Sequence, residues 1–145
     1  MAKTNIYLIF NGEAEEAFNF YKSAFGGEFG MMQRFKEIPE KDRDIGKIED
    51  EEGEKLIHIS LPISEETSLM ASDGPRSMGN VIFGNNFSIY VESQSKEEAD
   101  KIFTDLSVGG KVKMELTDTF WGAYYGMLED KFGINWMIGY TYPKK

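Results

Sequence analysis

The chain contains two similar segments, and this internal repeat restricts the possible folds more than any other feature of the sequence. "EEAFNFYKSAFGGEF" begins at Glu15, and "EEADKIFTDLSVGGKV" begins at Glu97 with one inserted residue before its Gly pair. Apolar residues recur at helical spacing in both segments, and the Gly pair ends each pattern. The residues shared by the two segments, Glu-Glu-Ala and the Gly pair, could by themselves be ordinary signals for the start and end of a helix. The matching order of elements around both helices favours a duplication.

The repeat predicts an α+β fold of two tandem βαβββ modules. Ser95 to Glu98 form a capping-box pattern at the start of the second helix. At this length we expect a single domain over residues 1–145, with modules at about 1–74 and 86–145 and a linker at about 75–85. The predicted strands are Ile6–Phe10, Glu28–Phe35, Leu56–Ile63, Thr67–Asp73, Asn86–Val91, Val112–Leu116, Ala123–Glu129 and Ile134–Thr141.

Composition excludes several classes of function. The chain has no cysteine, which excludes disulfides, thiolate nucleophiles and metals held by sulfur. Its net charge of −9 opposes binding to nucleic acid. The apolar run Ile6–Phe10 is too short for a signal sequence or a membrane span, so we expect no membrane partner and a cytoplasmic location. The acidic residues are partly pooled in Glu40–Lys55, which we interpret as a solvated loop.

His58 is the only histidine and the one candidate catalytic residue. Strand alternation places Ile57, Ile59 and Leu61 on one face, and His58 with Ser60 on the other. If the apolar face packs on a helix, His58 and Ser60 point to the side of the sheet that faces away from the helix. There His58 could act as a general base near neutral pH, or it could simply be hydrogen-bonded to a neighbouring strand.

The stretch "DTFWGAYYGMLEDKFGINWMI", from Asp118 to Ile138, is unusually rich in aromatic residues. Alternation along the last strand places Trp136 and Met137 on opposite faces. Trp121 lies between two strands beside Gly122, where it can form either a pocket wall or a dimer interface. The candidate ligand-binding residues are His58, Ser60, Asn86, Ser88, Asp118, Phe120, Trp121, Tyr125 and Met137.

The sequence resembles the PhnB-like branch of the vicinal oxygen chelate superfamily, which includes glyoxalase I, ring-cleaving dioxygenases and antibiotic-resistance proteins. The resemblance covers nearly the whole chain. It is carried by "YLIFNGEAEEAFNFYKSAFGGE", "LMASD" and "DTFWGAYYGMLEDKFGINWM". It implies that the two modules form a cupped mixed sheet with the helices outside and a ligand bound inside the cup. The register of the superfamily places Met137 inside this cup and Trp136 on the helix side, in the core. The resemblance also implies a homodimer.

The resemblance also indicates where a metal would bind, because metal-using members take His and Glu ligands from strands one, four, five and eight. The corresponding positions here are Ile6, Leu69 or Met70, Asn86 and Met137. This set cannot hold a catalytic metal, so we expect no metal and no cofactor. Some PhnB-like proteins carry a ubiquinone-pathway methyltransferase label. Neither strand-to-helix turn, "FNGEA" or "VESQSKE", makes the Gly-rich loop that S-adenosylmethionine typically requires.

Three functions remain as hypotheses. The first is a metal-free protein that binds a small, partly apolar molecule in the cup. The second is a lyase or oxidoreductase of the superfamily that uses His58 or an unrecognised metal site. The third is a dimeric interaction protein whose exposed aromatic residues dock a partner.

Overall fold

The computed structural model describes residues 1–39, 41 and 50–144. The chain forms two compact units, Met1–Ile82 and Phe83–Lys145. No helix among these described residues is long and apolar enough to cross a membrane.

Unit 1 is a four-stranded mixed sheet with one long helix. Its strands occur in the order β1-β4-β3-β2, with β1 parallel to β4 and the other neighbours antiparallel. Two 3₁₀ turns, Phe35–Glu37 and Arg76–Met78, follow β2 and β4. The elements are β1 Ile6–Phe10, α1 Ala14–Phe25, β2 Met31–Arg34, α2 Asp50–Gly53, β3 Leu56–Pro62 and β4 Ser68–Asp73.

Unit 2 repeats this arrangement. Its sheet has the order β5-β8-β7-β6, and β5 is parallel to β8 as β1 is to β4. The structure thus confirms an α+β fold of two tandem βαβββ modules. The elements are β5 Ile89–Glu92, α3 Lys96–Ser107, β6 Lys111–Asp118, β7 Ala123–Glu129 and β8 Asn135–Thr141.

Three predicted strand boundaries were wrong by two residues or more, and several others differ by one residue. β2 begins at Met31 instead of Glu28, and β5 begins at Ile89 instead of Asn86. β6 extends to Asp118, beyond the predicted Leu116. Strand length depends on pairing with a neighbouring strand, which alternation within one segment does not report. The predicted acidic loop lies mostly outside the described residues, and its described part contains the single helical turn α2.

Alternation in β3 is interrupted by a bulge, which moves one predicted core residue. Gln33 pairs with His58, but the next residue of β2, Arg34, pairs with Leu56 and skips Ile57. As a result Leu56 is fully buried while Ile57 is only half-buried. Ile59 and Leu61 are fully buried, as predicted.

The helices pack against one face of each sheet. In unit 1, Leu8, Phe10 and Ala71 are buried together with the apolar residues of α1. In unit 2, Trp136 is 1% exposed, and its Nε1 donates a hydrogen bond to Asp130 Oδ2 over 2.8 Å. The assignment of Trp136 to the core is therefore confirmed. We call the opposite face of each sheet its helix-free face.

Candidate functional site

The helix-free face of unit 1 is formed by the residues that alternate with the core. Tyr7 on β1 pairs with Met70 on β4, and Met70 pairs with Ser60 on β3. Tyr7 is half-exposed, while Met70 and Ser60 are partly buried. This face therefore presents a phenol, a thioether and a hydroxyl at adjacent positions of three neighbouring strands.

His58 lies on this face in contact with Tyr7. The Tyr7 hydroxyl is 3.4 Å from His58 Nδ1, and the two rings are 5.7 Å apart. Tyr7 reaches across β4 to make this contact, since β4 lies between β1 and β3. The imidazole therefore has a neighbouring phenol with which it can exchange a proton.

The helix-free face of unit 2 repeats the pairing of unit 1. Tyr90 on β5 pairs with Met137 on β8, as Tyr7 pairs with Met70. Met137 then pairs with Met127 on β7, where unit 1 has Ser60. The duplicated fold thus places a Tyr and a Met side by side at equivalent positions of both units.

The absence of a side chain at Gly139 makes room for the Tyr90 side chain. A Cβ atom at residue 139 would lie 2.6 Å from the Tyr90 hydroxyl and 3.2 Å from the ring carbon that carries it. No real side chain tolerates so close an approach without a shift. The hydroxyl end of Tyr90 therefore lies against the backbone of β8 at Gly139, in space that the side chain of a larger residue would fill.

Glu92 holds the same, hydroxyl end of Tyr90 by a hydrogen bond. The Tyr90 hydroxyl donates to Glu92 Oε2 over 2.5 Å, and the Thr141 backbone N–H donates to Oε1 over 3.0 Å. Burial and this hydrogen bond together raise the pKa of Tyr90 to about 12. Burial also raises the pKa of Glu92, but the bonds from Tyr90 and Thr141 outweigh burial and hold that pKa below its usual value. Glu92 is therefore a carboxylate at neutral pH.

Three aromatic rings form a cluster beside Tyr90. Trp121 meets Tyr125 edge-on at 6.0 Å, and Phe120 meets Trp121 edge-on at 5.0 Å. Gly122, with φ +88°, makes the turn between β6 and β7 that brings Trp121 back over Tyr125. Tyr125 pairs with Gly139, the residue that Tyr90 covers. Aromatic side chains thus continue from β5 across β8 and β7 to this turn.

The remaining candidate residues lie elsewhere in unit 2. Asp118 accepts a hydrogen bond from the Tyr142 hydroxyl and pairs with Tyr124, whose own hydroxyl bonds Asp100 of α3. Asp118 therefore lies toward the helix side of the sheet. Asn86 and Ser88 precede β5; Asn86 is exposed and Ser88 half-buried.

Of the nine candidates, His58 and Ser60 thus lie on unit 1, and the others lie on unit 2. Sequence reasoning missed Tyr7, Tyr90 and Glu92. The internal repeat could have identified the two tyrosines, because Ile6-Tyr7 and Ile89-Tyr90 occupy equivalent positions in it.

The register also corrects two positions assigned to metal ligands. Ile6 shares the face of Leu8 and Phe10, so Tyr7 holds the helix-free position on β1. Asn86 precedes β5, where Tyr90 holds the helix-free position. On β4 that position belongs to Met70, since Leu69 is buried on the helix side. Within residues 1–39, 41 and 50–144, no three His, Asp or Glu side chains are grouped so that they could hold a metal ion.

Both strand-to-helix turns bind groups of the chain itself. Asp73 Oδ1 accepts from the backbone N–H groups of Gly12 and Ala14 at the start of α1. At the start of α3, Ser95 Oγ accepts from the Glu98 N–H, and Glu98 Oε1 accepts from the Gln94 N–H. These backbone donors are the ones that a helix N-terminus offers to an anionic ligand.

Comparison with known proteins places this architecture in a family. The model of the 3-demethylubiquinone-9 3-methyltransferase family matches residues 2–139. The structure of protein PA1353 from Pseudomonas aeruginosa is 34% identical, covers 97% of this chain and 98% of its own, and superposes with a TM-score of 0.83. The PhnB protein from Bacillus cereus, a putative 3-demethylubiquinone-9 3-methyltransferase, is 30% identical, with coverage of 97% and 100% and a TM-score of 0.73.

A more distant likeness concerns the fold alone. A glyoxalase/bleomycin resistance protein from Albidiferax ferrireducens T118 is 15% identical, with coverage of 95% and 97% and a TM-score of 0.61. The family match and the fold agree with the resemblance carried by the sequence motifs. This chain belongs to the 3-demethylubiquinone-9 3-methyltransferase family, in line with the resemblance of its motifs to PhnB-like proteins.

Proposed function

We propose that this protein binds a small, partly apolar molecule on the helix-free faces of its sheets without the help of a metal. The observation that carries the proposal is the repeated pairing of Tyr7 with Met70 and of Tyr90 with Met137. These residues lie on the four strands that supply metal ligands in other members of the superfamily. A phenol and a thioether are poor ligands for divalent ions, but they make good apolar contacts.

The chemistry of the two faces fits such a ligand. On the face of unit 1, phenol, imidazole and serine hydroxyl groups can orient the polar atoms of a ligand. On the face of unit 2, Trp121, Tyr125 and Met137 offer broad apolar contact. Small-molecule sites typically combine a mainly apolar lining with a few polar groups. Trp121 is 59% exposed and therefore available to a ligand.

Tryptophan fluorescence tests the proposal, because the two tryptophans differ in access. A bound aromatic compound should quench Trp121, whereas Trp136 is shielded in the core. We expect Trp121→Ala to abolish the quenching and weaken calorimetric affinity by about tenfold. Trp121→Phe is the matched control, since it removes the emission and keeps an aromatic surface. Undiminished affinity in Trp121→Ala, or a screen without any binder, contradicts the proposal.

The contact between Tyr7 and His58 favours a second candidate, an acid–base enzyme of the lyase type. A phenol 3.4 Å from Nδ1 can hold one imidazole tautomer and so direct the other nitrogen toward a substrate. In that case His58→Gln would abolish turnover while ligand affinity stayed within about twofold. Unchanged turnover in His58→Gln would exclude this mechanism.

The family name points to methyl transfer, and the two strand-to-helix turns oppose it. Their backbone donors already bind the side chains of Asp73, Ser95 and Glu98. A nucleotide-like cofactor would have to displace these bonds. Equilibrium dialysis with S-adenosylmethionine provides the test, and we expect no saturable binding.

We also propose that the protein is a homodimer, with a dimer-based interaction role as the alternative use of its exposed aromatic residues. Phe120 is 98% exposed, and such rings are favoured at interfaces. Light scattering of Phe120→Ala and Trp121→Ala distinguishes the uses of these rings. Conversion to monomer would assign them to the interface, whereas a retained dimer with lost ligand binding would assign them to the pocket.

A further inference from the structure

The helix-free face of unit 2 contains a carboxylate that no cation neutralises. Glu92 accepts from the Tyr90 hydroxyl and the Thr141 N–H, both of which are uncharged donors. Among the described residues, no Lys or Arg forms an ion pair with Glu92. Lys113 donates to Asn135, at the opposite end of β8 from Thr141. A full negative charge therefore remains beside the Tyr90 ring.

The Tyr90 ring is held in place next to this charge. Gly139 lies beneath it and Glu92 anchors its hydroxyl, yet Tyr90 remains 50% exposed. Because that hydroxyl already donates to Glu92, it can only accept a hydrogen bond from a ligand. Both groups thus favour a ligand that brings hydrogen-bond donors and positive charge, and the π-face of the tyrosine attracts the same charge.

An aromatic surface continues from this charged end. Tyr125 pairs with Gly139 and meets Trp121 edge-on at 6.0 Å. A flat apolar body can lie along this surface while a charged group reaches Glu92. The acidic net charge of −9 further raises the local concentration of small cations.

We propose that the ligand of this face is a small aromatic cation, with its positive group at Glu92 and its ring system on Tyr90 and Tyr125. The proposal deepens the proposed function and rests on it. Glu92 determines the charge that is accepted, and Gly139 allows Tyr90 to hold its position.

Three bicyclic compounds of similar shape test the charge preference. N-methylquinolinium is cationic, quinoline is neutral at neutral pH, and 2-naphthoate is anionic. By titration calorimetry we expect the cation to bind about tenfold more tightly than quinoline, and the anion to bind more weakly than either. The preference should shrink at high salt, because Glu92 is partly exposed to solvent.

Variants separate the charge of Glu92 from the charge of the whole protein. Glu92→Gln should bring quinolinium and quinoline to within about twofold of each other. Glu97→Gln, an exposed position on α3, makes the same change in net charge and should retain the preference.

Two results overturn the proposal in distinguishable ways. If quinolinium and quinoline bind equally well to the wild-type protein, the proposed preference for a cation is wrong, while the proposed binding of an aromatic ligand still stands. Absence of binding by all three compounds at millimolar concentration overturns both this inference and the proposed function. If Glu92→Gln still prefers quinolinium to quinoline, the cation does not bind at Glu92. This result also contradicts the proposal.

Discussion

Asp73 joins three segments of unit 1 through one buried carboxylate. It is 1% exposed; its Oδ1 accepts from the Gly12 and Ala14 N–H groups and its Oδ2 from the Leu56 N–H. The end of β4 is thereby tied to the start of α1 and the start of β3. Such a carboxylate stabilises the fold because it satisfies donors that would otherwise be buried without a partner.

Asp73→Ala should therefore strongly destabilise the protein. Three backbone donors lose their acceptor at once, and we expect a loss of about 3–5 kcal/mol in the free energy of unfolding. Urea titration followed by circular dichroism measures this loss. Asp105→Ala, which removes only a surface ion pair with Lys101, should cost less than about 1 kcal/mol. Similar losses in the two variants would contradict the role assigned to Asp73.

Tyr90 should titrate well above an ordinary tyrosine. Burial and the hydrogen bond to Glu92 raise its pKa to about 12, so the folded state holds the phenol proton more tightly than the unfolded state does. The stability contributed by this proton is complete below the ordinary pKa of 10.0 and is lost as pH rises through 12.

Difference absorbance of phenolate between wild type and Tyr90→Phe isolates this group, because Tyr124 and Tyr142 also titrate near 12. Glu92→Gln should lower the pKa of Tyr90, since it removes the negative charge beside the hydroxyl. A phenol that titrates near 10 in the wild-type protein would contradict the hydrogen bond to Glu92.

At the scale of elements, the two equivalent helices begin in different ways. α3 has its own N-cap, Ser95, whose Oγ accepts from the Glu98 N–H over 3.0 Å. The predicted capping box is thus present, although the Glu98 carboxylate bonds the Gln94 N–H instead of that of Ser95. α1 has no side-chain cap from its N-cap residue Glu13 and depends on Asp73 from β4.

The stability of α3 should therefore depend on a local residue. Ser95→Ala removes the acceptor of the Glu98 N–H and should cost about 1 kcal/mol. Thr104→Ala, an exposed position on the same helix, serves as the control and should change stability by less than about 0.5 kcal/mol. The urea midpoints of unfolding of the two variants, measured side by side, test this prediction. Equal midpoints would exclude a capping role for Ser95.

At the scale of the whole molecule, the absence of a metal is the prediction with the widest consequence. The helix-free face of unit 1 offers Tyr7 and Met70, and that of unit 2 offers Tyr90 and Met137; phenols and thioethers are poor ligands for divalent ions. We expect the untagged protein, purified without chelator and dialysed against mixed divalent metals, to contain far less than one ion per chain. If elemental analysis found zinc, nickel, iron or manganese at nearly one ion per chain, the protein would be a metalloprotein and this prediction would be wrong.

Much of the fold could be predicted because its signals are local. The Gly pairs, the capping box and the helical spacing placed both helices, and alternation placed Ile59 and Leu61 in the core. The same reasoning failed at Ile57, because a bulge arises from pairing between β2 and β3. The metal-ligand position that the family resemblance assigned to Ile6 was also wrong, because the face of a short strand changes with a register error of one residue.

The sequence by itself determined the duplicated βαβββ architecture and the class of side chains available for chemistry. Both follow from periodicity and composition, which depend on neighbours along the chain. Only the tertiary structure decided which residues share a face. Tyr90, Glu92, Gly139 and Tyr125 come together through the pairing of β5, β8 and β7. Contacts between strands depend on register, and register is set by the packed sheet as a whole.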